Sequence, residues 1–398
     1  MTKRKVGLGI LGLGGRGVNF GGKSFLKNGN FNIVSVCDLQ QAKCDAAKAI
    51  FGDHVHTYTD MNAFLKDPKL EAVIVATPDY AHAECAVAVL KAKKHLYLEK
   101  PMAQTIEDCD RIIRAWEGSG TVFMVGLELR YCTLMQQTKA LIEAGKIGRI
   151  RIGTVIDNVS VGGAYFYHNN YRYIHYVKSL VLQKGTHSLD LANWLVDSTP
   201  VRVFSSAGLD VFGGNESPEK RCSDCEKTKT CPYYMDRSAF KTDYDRIFRE
   251  RKDLCVYAKD CDVSDNSLVL IDYESGARLG YMECHFTPEY TREFMFVGDR
   301  GKIEAFYNNE QDFKIKLWKR FEKEPQYFYP PKVEGGHGGG DTGIISDFYR
   351  LIEKGKPCMK GVRGARDSAA IAIAAFESEK SGLPVMIPRV EYPTGVEL

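Results

Sequence analysis

Short apolar runs alternate with stretches of helical apolar spacing through the first part of the chain. Apolar runs bounded by turn residues predict buried strands, and apolar residues at i, i+3 and i+4 predict helices. The predicted strands are Val6–Leu11, Phe31–Cys37, Ala72–Ala76, His95–Leu98 and Thr121–Val125. The predicted helices are Ala83–Ala92 and Thr105–Trp116. This alternation is typical of a doubly wound parallel sheet, and we expect such an α/β domain over residues 1–126.

Beyond residue 149 the polarity alternates along several strands with hairpin-like spacing. The strands predicted there are Arg149–Val155, Ser267–Tyr273, Arg278–Cys284, Phe294–Val297 and Phe313–Trp318. The helices predicted to cover one face are Lys184–Leu195, Thr342–Lys354 and Ala365–Glu379. Residues 127–398 are therefore expected to form an α+β domain with a large, mainly antiparallel sheet. The uncovered sheet face predicts a homo-oligomer, a dimer or tetramer.

A glycine fingerprint directly follows the first predicted strand. Gly12, Gly14 and Gly17 have the spacing of a strand, a tight turn and a helix start. The first glycine allows the turn, the second lets the backbone approach a pyrophosphate, and the third lets the helix pack on the strand. Arg16, within the fingerprint, is placed to reach a phosphate.

Asp38 directly follows the second predicted strand, about 20 residues beyond the fingerprint, where an acid binds the adenosine ribose hydroxyls. A carboxylate there repels a ribose 2'-phosphate, and the three residues that follow it supply no cation. The sequence therefore predicts a bound dinucleotide and favours NAD over NADP, although a phosphate contact from Arg16 would weaken that preference. The alternative for Asp38 is a turn residue that caps the next helix.

Composition is consistent with a soluble enzyme of two domains. The chain has 398 residues, more than one core usually supports, and 44% of them are hydrophobic. Its 54 basic and 51 acidic residues are well mixed, so bulk charge gives no reason to expect a nucleic acid or a membrane as partner. The N-terminal sequence has no secretory signal pattern, and no apolar run has membrane-spanning length. We expect a cytoplasmic protein.

Twelve cysteines need an explanation in a reducing compartment. Seven are scattered and are interpreted as small buried hydrophobes: Cys37, Cys44, Cys85, Cys109, Cys132, Cys284 and Cys358. The others fall in a polar insertion near residues 220–262. A structural zinc site is predicted from Cys222, Cys225, Cys231 and Cys255, with Cys261 as the alternative fourth ligand. The alternatives are free thiols in a polar loop and an iron–sulfur cluster.

Two polar segments follow predicted strands, at the carboxyl ends where an open parallel sheet binds its ligands. The residues are Thr77, Pro78 and His82 after one strand, and Glu99, Lys100 and Pro101 after another. These positions predict cofactor contacts and put Lys100 beside the dinucleotide. His82 fits a cofactor contact or a satisfied histidine at a helix start equally well.

The order of these motifs, completed by the segment Lys184–Asp190, resembles the glucose-fructose oxidoreductase, inositol dehydrogenase and MocA family. The resemblance covers essentially the whole chain. It implies an NAD(P)-dependent dehydrogenase of sugars or polyols, with a Rossmann domain and then a substrate and oligomerisation domain. It also favours a cofactor contact for His82 and a cis bond before Pro101 that turns Lys100 toward the nicotinamide.

The resemblance assigns the chemistry to two residues. Lys100 matches the lysine that hydrogen-bonds the reacting hydroxyl, and His187 matches the general acid or base. Histidine titrates at about 6.5 when unperturbed, whereas lysine at about 10.4 needs desolvation or a positive neighbour to act as a base. Gln183 stands where many members have an aspartate, and an amide orients a hydroxyl but does not accept its proton. Lys184 is the candidate replacement for that aspartate.

Two further segments are candidate substrate binders. Tyr165–His175, which contains Arg172, combines aromatic faces and cations that suit a pyranose ring, or it forms a core or interface cluster. Gly335–Asp341 either points His337 into the site or forms a flexible loop with Asp341 capping the next helix.

We predict an oxidoreductase that transfers a hydride between NAD and a hydroxyl of a sugar, sugar acid, glycoside or inositol. The alternatives are an NAD-dependent glycosidase that acts by transient oxidation and elimination, and a cofactor-sensing binding protein without turnover.

Overall fold

A six-stranded parallel sheet forms the first layer of the fold. The computed structural model describes residues 4–236, 238, 247–248, 252–355 and 359–390, so Cys358 lies outside the described residues. The strands are β1 Val6–Leu11, β2 Phe31–Cys37, β3 His56–Tyr58, β4 Ala72–Val75, β5 His95–Leu98 and β6 Phe123–Val125. Their spatial order, β3-β2-β1-β4-β5-β6, confirms the predicted doubly wound sheet.

Helices cover both faces of this sheet. They are α1 Phe25–Asn28, α2 Gln41–Phe51, α3 Met61–Leu65, α4 His82–Lys91 and α5 Ile106–Trp116. A π-helical stretch, Gly17–Ser24, leads into α1. The predicted start of α5 agrees with its capping, because the Thr105 hydroxyl accepts a hydrogen bond from Asp108 N at 3.1 Å. The carboxyl ends of β1, β4, β5 and β6 therefore share one edge.

The second sheet has nine strands in the order β14-β13-β12-β11-β7-β10-β9-β8-β15. The strands are β7 Ile150–Asn158, β8 Pro200–Gly208, β9 Asn266–Tyr273, β10 Arg278–Cys284, β11 Thr291–Gly298, β12 Gly301–Asn308, β13 Lys314–Lys319, β14 Gln326–Phe328 and β15 Val385–Met386. All neighbours pair antiparallel except β7 and β10, which are parallel. The mainly antiparallel prediction is confirmed.

One face of the second sheet is covered by helices. They are α6 Thr133–Glu143, α8 Thr186–Val196 and α10 Met359–Ser381. The short helix α7 Ile174–Val177 packs beside the loop after β4, and α9 Gly340–Lys354, which was expected on this face, packs elsewhere. The predicted helix Lys184–Leu195 begins instead as a π-helical turn, Val181–Gly185, that runs into α8. None of the helices in the described part of the chain has the length and apolarity needed to cross a membrane.

Helix α9 packs against the first sheet although it is distant from it in sequence. The Phe348 ring stacks on Phe31 with centroids 6.2 Å apart, and Tyr349 meets Phe31 edge to face at 5.7 Å. This packing fixes the loop that precedes α9 beside the carboxyl edge of the parallel strands. The predicted boundary between residues 126 and 127 stays a prediction.

Candidate active site

The three fingerprint glycines have different surroundings. Gly12 has φ 96°, and a Cβ there would lie 2.7 Å from the Ala76 carbonyl carbon. A Cβ on Gly17 would lie 2.0 Å from the Gly12 carbonyl oxygen. A Cβ on Gly14 would meet nothing within 4 Å. Gly12 and Gly17 are therefore required by the protein's own packing, whereas the space at Gly14 fits the approach of a pyrophosphate.

Asp38 lies beside the glycine turn. Its Oδ2 accepts a hydrogen bond from Leu13 N at 2.8 Å, and its Oδ1 accepts one from Gln40 N at 3.0 Å. The second contact is the turn contact of the alternative interpretation. The first contact holds the carboxylate next to the turn, at the place where a ribose hydroxyl acceptor is needed.

The Arg16 side chain differs from the expectation that it reaches a phosphate. Its Nε lies 2.6 Å from Glu99 Oε1, and its Nη2 pairs with Glu128 Oε1. The guanidinium also lies 3.8 Å from the centroid of the Phe20 ring. Burial would lower the pKa of Arg16, but Glu99 and Glu128 raise it above the ordinary value. Arg16 thus neutralises buried carboxylates, an arrangement that needs no phosphate.

Lys100 joins the two domains. The peptide bond before Pro101 is cis, and Lys100 Nζ donates a hydrogen bond to the carbonyl oxygen of Gln183. Burial lowers the pKa of Lys100, an effect that the carboxylates of Asp79 and Glu99 oppose. Gln183 therefore contributes its backbone to the site, four residues before His187.

His82 is buried, with 1% of its surface exposed. Its Nδ1 lies 2.7 Å from the Pro101 carbonyl oxygen and its Nε2 lies 3.0 Å from that of Thr77. The ring therefore links the loop after β4 to the loop after β5. These contacts match the satisfied helix-start histidine more closely than a cofactor contact, because both ring nitrogens face backbone carbonyls. The loop also brings in the buried Asp79, which sequence reasoning did not assign.

His187 is the second residue of α8 and is 5% exposed. Burial lowers its pKa well below the ordinary value, and nearby His337 and Lys100 lower it further. The neutral imidazole is therefore favoured. The His337 ring lies 5.4 Å away between centroids, which agrees with the predicted site-facing loop. His337 Nδ1 in turn contacts Asp341 Oδ1 at 2.7 Å.

Glu128 is a site residue that sequence reasoning missed. It follows β6 and is fully buried, with Tyr97 Oη donating to its Oε1 at 3.0 Å. The glycine-rich loop approaches it closely, because a Cβ on Gly340 would lie 2.2 Å from the Glu128 carbonyl oxygen. The signal was available, since β6 ends at the same sheet edge as β4 and β5.

Lys184 lies in a cationic corner with residues from the second sheet. Its Nζ is 5.0 Å from the centroid of the Tyr290 ring, and Arg292 Nη2 is 3.4 Å from Tyr290 Oη. Burial would raise the pKa of Tyr290, but Lys184 and Arg292 lower it to about 7. No sequence motif indicated Tyr290 or Arg292.

Arg172 corrects the expectation of a substrate contact. Its fully buried side chain is bound to the cysteine-rich insertion, with Nη2 2.7 Å from Asp260 Oδ1 and Nη1 2.9 Å from the Cys255 carbonyl oxygen. The neighbouring Tyr165 and Tyr171 rings stack on each other at 5.7 Å. These contacts match the core-cluster alternative, because the guanidinium is used within the fold.

The predicted zinc ligands, all among the described residues, lie near one another in the insertion, but no three of their Sγ atoms are within 4.8 Å of one another. Across the described ranges, the one group of three or more histidine, cysteine or acidic residues with ligand atoms within 4.8 Å of one another is Glu128, His187 and His337. Burial raises the pKa of the Cys222 and Cys255 thiols. The structure thus places these cysteines in one insertion without the spacing of bound zinc ligands.

Comparison with known proteins agrees with this geometry. Residues 6–127 match the family model described as oxidoreductase family, NAD-binding Rossmann fold. Residues 139–387 match the oxidoreductase family C-terminal alpha/beta domain. The chain is therefore an oxidoreductase with an NAD-binding domain. It belongs to the Gfo/Idh/MocA family, as the order of its motifs predicted.

The chain is similar to several named proteins. It is 26% identical to the putative oxidoreductase YteT of Bacillus subtilis, over 80% of this chain and 82% of that protein. It is 30% identical to levoglucosan dehydrogenase of Pseudarthrobacter phenanthrenivorans, over 83% of this chain and 84% of that protein. An inositol 2-dehydrogenase of Salmonella typhimurium is 35% identical over 118 residues, 29% of this chain and 35% of that protein.

Solved structures share the fold. A levoglucosan dehydrogenase in complex with NADH and levoglucosan superposes with a TM-score of 0.75 at 19% identity, covering 97% of this chain and 100% of that chain. An oxidoreductase domain protein from Kribbella flavida gives a TM-score of 0.77 at 18% identity, with the same coverage.

Proposed function

We propose that this protein is an NAD-dependent dehydrogenase that oxidises a hydroxyl of a sugar or polyol. The contact of Lys100 with the Gln183 carbonyl carries the proposal, because it brings the lysine of the cofactor domain to the start of the helix that bears His187. The named relatives, a levoglucosan dehydrogenase and inositol 2-dehydrogenases, act on this class of substrate and support it.

The proposed chemistry divides between two side chains. Oxidation sends the carbon-bound hydrogen with its electron pair to the nicotinamide, while the hydroxyl loses its proton. Lys100, an ammonium donor at the strand end, binds the reacting oxygen. His187, which burial keeps neutral, promotes loss of the hydroxyl proton. Lys184 and Arg292, which both contact Tyr290, add positive charge on the side where the family aspartate is absent.

NAD is proposed in preference to NADP. The Asp38 carboxylate is held at the glycine turn by Leu13 N, where it would accept from the two ribose hydroxyls and repel a 2'-phosphate. Arg16 is paired with Glu99 and Glu128 and is not needed for a phosphate.

The test is NAD reduction with a panel of sugars, sugar acids, inositols and glycosides, with glycoside release measured in parallel. Lys100→Met is expected to lower kcat by roughly 10²- to 10⁴-fold while the Kd for NAD changes little. Lys91→Met, at an exposed lysine of the same domain, is the matched control and keeps the wild-type rate. Aglycone release without added cofactor, or no NAD reduction with any substrate, contradicts the proposal.

Three finer assignments stay predictions. A homo-oligomer is proposed from the open face of the nine-stranded sheet. A structural zinc at Cys222, Cys225, Cys231 and Cys255 requires the four thiols to draw together on binding, and Cys222→Ser with a loss of bound zinc would support it. The cytoplasmic location and the lack of nucleic-acid and membrane partners were inferred from composition alone.

A further inference from the structure

Three side chains from separate elements meet beside the proposed reacting centre. Glu128 comes from the turn after β6, His187 from α8, and His337 from the loop before α9. One ligand atom of each residue lies within 4.8 Å of the others. No motif in the sequence joins these three residues, because they are far apart along the chain.

Two of these side chains carry buried atoms without a partner. Among the described residues, nothing forms a hydrogen bond with Glu128 Oε2 or with His187 Nδ1. Glu128 is 0% exposed and His187 is 5% exposed, so water does not replace the missing partner freely. An unsatisfied buried polar group costs about 1–3 kcal/mol, more when it is charged. Two such atoms in one small group indicate a ligand that binds both.

Two other polar atoms of the group are held by residues outside it. Glu128 Oε1 accepts from Tyr97 Oη at 3.0 Å and pairs with Arg16, which leaves Oε2 for a ligand. His337 Nδ1 contacts Asp341 Oδ1 at 2.7 Å, which leaves Nε2. Metal-binding histidines typically use the second ring nitrogen in this way, with a carboxylate that fixes the tautomer and the ring orientation.

We propose that Glu128, His187 and His337 bind one divalent transition-metal ion, with an open coordination position toward the substrate. Two imidazoles and one carboxylate form the donor set of many zinc and non-haem iron or manganese sites. Ligand atoms with bonds of about 2.0–2.1 Å are roughly 3.4 Å apart in a tetrahedron, so atoms that lie within 4.8 Å of one another need to close by at most about 1.4 Å.

The charges around the group are compatible with a cation. Both histidines bind a metal as neutral imidazoles, and burial favours the neutral form of His187. Lys100, Lys184 and Arg292 lie near His187 and oppose an ion, whereas Asp341 and Glu128 supply negative charge on the His337 side. The ion therefore enters a region of mixed charge.

This inference deepens the proposed function and rests on it for the identity of the bound oxygen. A divalent ion lowers the pKa of a hydroxyl whose oxygen it binds. An ion held by His187 would therefore promote loss of the proton from the substrate hydroxyl. The O–H bond breaks and its proton passes to solvent, while the carbon-bound hydrogen leaves as hydride to NAD. The ion is neither oxidised nor reduced.

Metal content measured by mass spectrometry tests the ion directly. Untagged protein is stripped with a chelator, dialysed against micromolar Zn²⁺ or Mn²⁺, and compared with Glu128→Gln and His337→Gln. Each variant is expected to bind about one equivalent less than the wild type, with unchanged circular dichroism and NAD binding. His54→Gln, at an exposed histidine of the first domain, is the control and loses no metal. Equal metal content in all four proteins overturns the proposal.

Cobalt distinguishes this ion from one on the cysteines. Co²⁺ bound by Glu128, His187 and His337 gives visible ligand-field bands without the near-ultraviolet charge-transfer bands that thiolate ligands produce. A wild-type spectrum that shows thiolate bands alone overturns the assignment. Activity separates the two proposals. Full NAD reduction by metal-free protein refutes the ion's role and supports the dehydrogenase. Metal binding without NAD reduction on any substrate supports the ion and refutes the dehydrogenase.

Discussion

At the residue scale, the glycine turn separates what the fold needs from what the cofactor needs. Gly14→Ala adds a methyl group into open space, so its melting temperature should stay within a degree or two of the wild type. The same methyl group lies where the pyrophosphate approaches, and the Kd for NAD should rise roughly tenfold or more. Isothermal titration and thermal denaturation measure both quantities.

Gly17→Ala is the matched control for that variant. Its Cβ would lie 2.0 Å from the Gly12 carbonyl oxygen, so the backbone has to move and the melting temperature should fall clearly. If Gly14→Ala destabilises the protein as much as Gly17→Ala, or if it leaves NAD binding unchanged, the space at Gly14 is not the pyrophosphate site.

Asp38 gives a prediction about cofactor preference. Asp38→Asn removes the negative charge while keeping one oxygen to accept from Leu13 N, and Leu39→Arg adds a cation at a position that is 90% exposed. The double variant should lose about 10- to 100-fold in kcat/KM with NAD and gain measurable activity with NADP, because a charged hydrogen bond contributes roughly 1.5–3 kcal/mol. The single variant Leu39→Gln, which keeps Asp38, should leave the preference for NAD intact.

Tyr290 gives a prediction about pH. Its pKa of about 7, against an ordinary value of 10.0, means that the folded state stabilises the phenolate form of Tyr290 relative to the unfolded chain. The stabilisation is complete above pH 10 and is lost as the pH falls through about 7. The unfolding free energy of the wild type minus that of Tyr290→Phe should therefore increase from pH 6 to pH 9 in urea titrations. A difference that decreases over this range contradicts the assignment.

At the element scale, His82 connects the loop after β4 to the loop after β5. His82→Leu leaves the Thr77 and Pro101 carbonyl oxygens without the ring, which should lower the unfolding free energy by about 1–3 kcal/mol. Lys100 lies in one of these loops, directly before Pro101, so kcat should fall as well while the Kd for NAD changes less. His56→Leu, at a half-exposed histidine of β3, should lower kcat little.

Much of the fold was predictable because its elements have strong local patterns. The strand Arg278–Cys284 was predicted with its observed bounds, and the first sheet was predicted from its apolar runs. The strands Pro200–Gly208 and Gly301–Asn308 were missed, although both are alternating and eight or nine residues long. Pro200–Gly208 buries Ser205 and exposes Phe204, so its polarity does not follow its burial. Gly301–Asn308 has the same alternation as Arg278–Cys284, so its signal was available.

The site was predictable only where a motif carried it. Lys100 and His187 stand in local motifs, and the structure places them at one domain junction. The ion pairs of Arg16 and Arg172 depend on partners distant in sequence, so spacing alone assigned both side chains to ligands. Glu128 belongs to the site because the packing of α9 brings the His337 loop against it, a contact that no single segment of sequence shows.

At the scale of the whole molecule, the two sheets are joined through their helices. Helix α9 lies in the second half of the chain but completes the core of the first sheet through Phe348. Helix α10 packs on β8 and on α8, the helix that bears His187. Both helices therefore hold the carboxyl edge of the first sheet against α8, and the site depends on this junction.

The open face of the nine-stranded sheet determines the last prediction. Strand β9 alternates buried and exposed residues, and its register places the exposed side chains of several strands on one face. These side chains are Ile152, Phe204, Leu268, Leu270, Trp318 and Met386. Leu268 and Leu270 are each 61% exposed, which is costly for an apolar row on a monomer but favourable when a second copy covers it.

Leu268→Glu with Leu270→Glu should therefore convert the protein to a monomer in light scattering coupled to gel filtration. In a twofold interface, the two introduced carboxylates would be buried close to the same two carboxylates of the second copy. The cost of burying and bringing together these negative charges is therefore paid by both subunits. Circular dichroism should be unchanged, because both side chains point away from the core of their own subunit. Ile50→Glu, at an exposed position on α2, should leave the oligomer intact. A wild-type monomer, or an oligomer that survives both Glu substitutions, shows that the open face is not the interface.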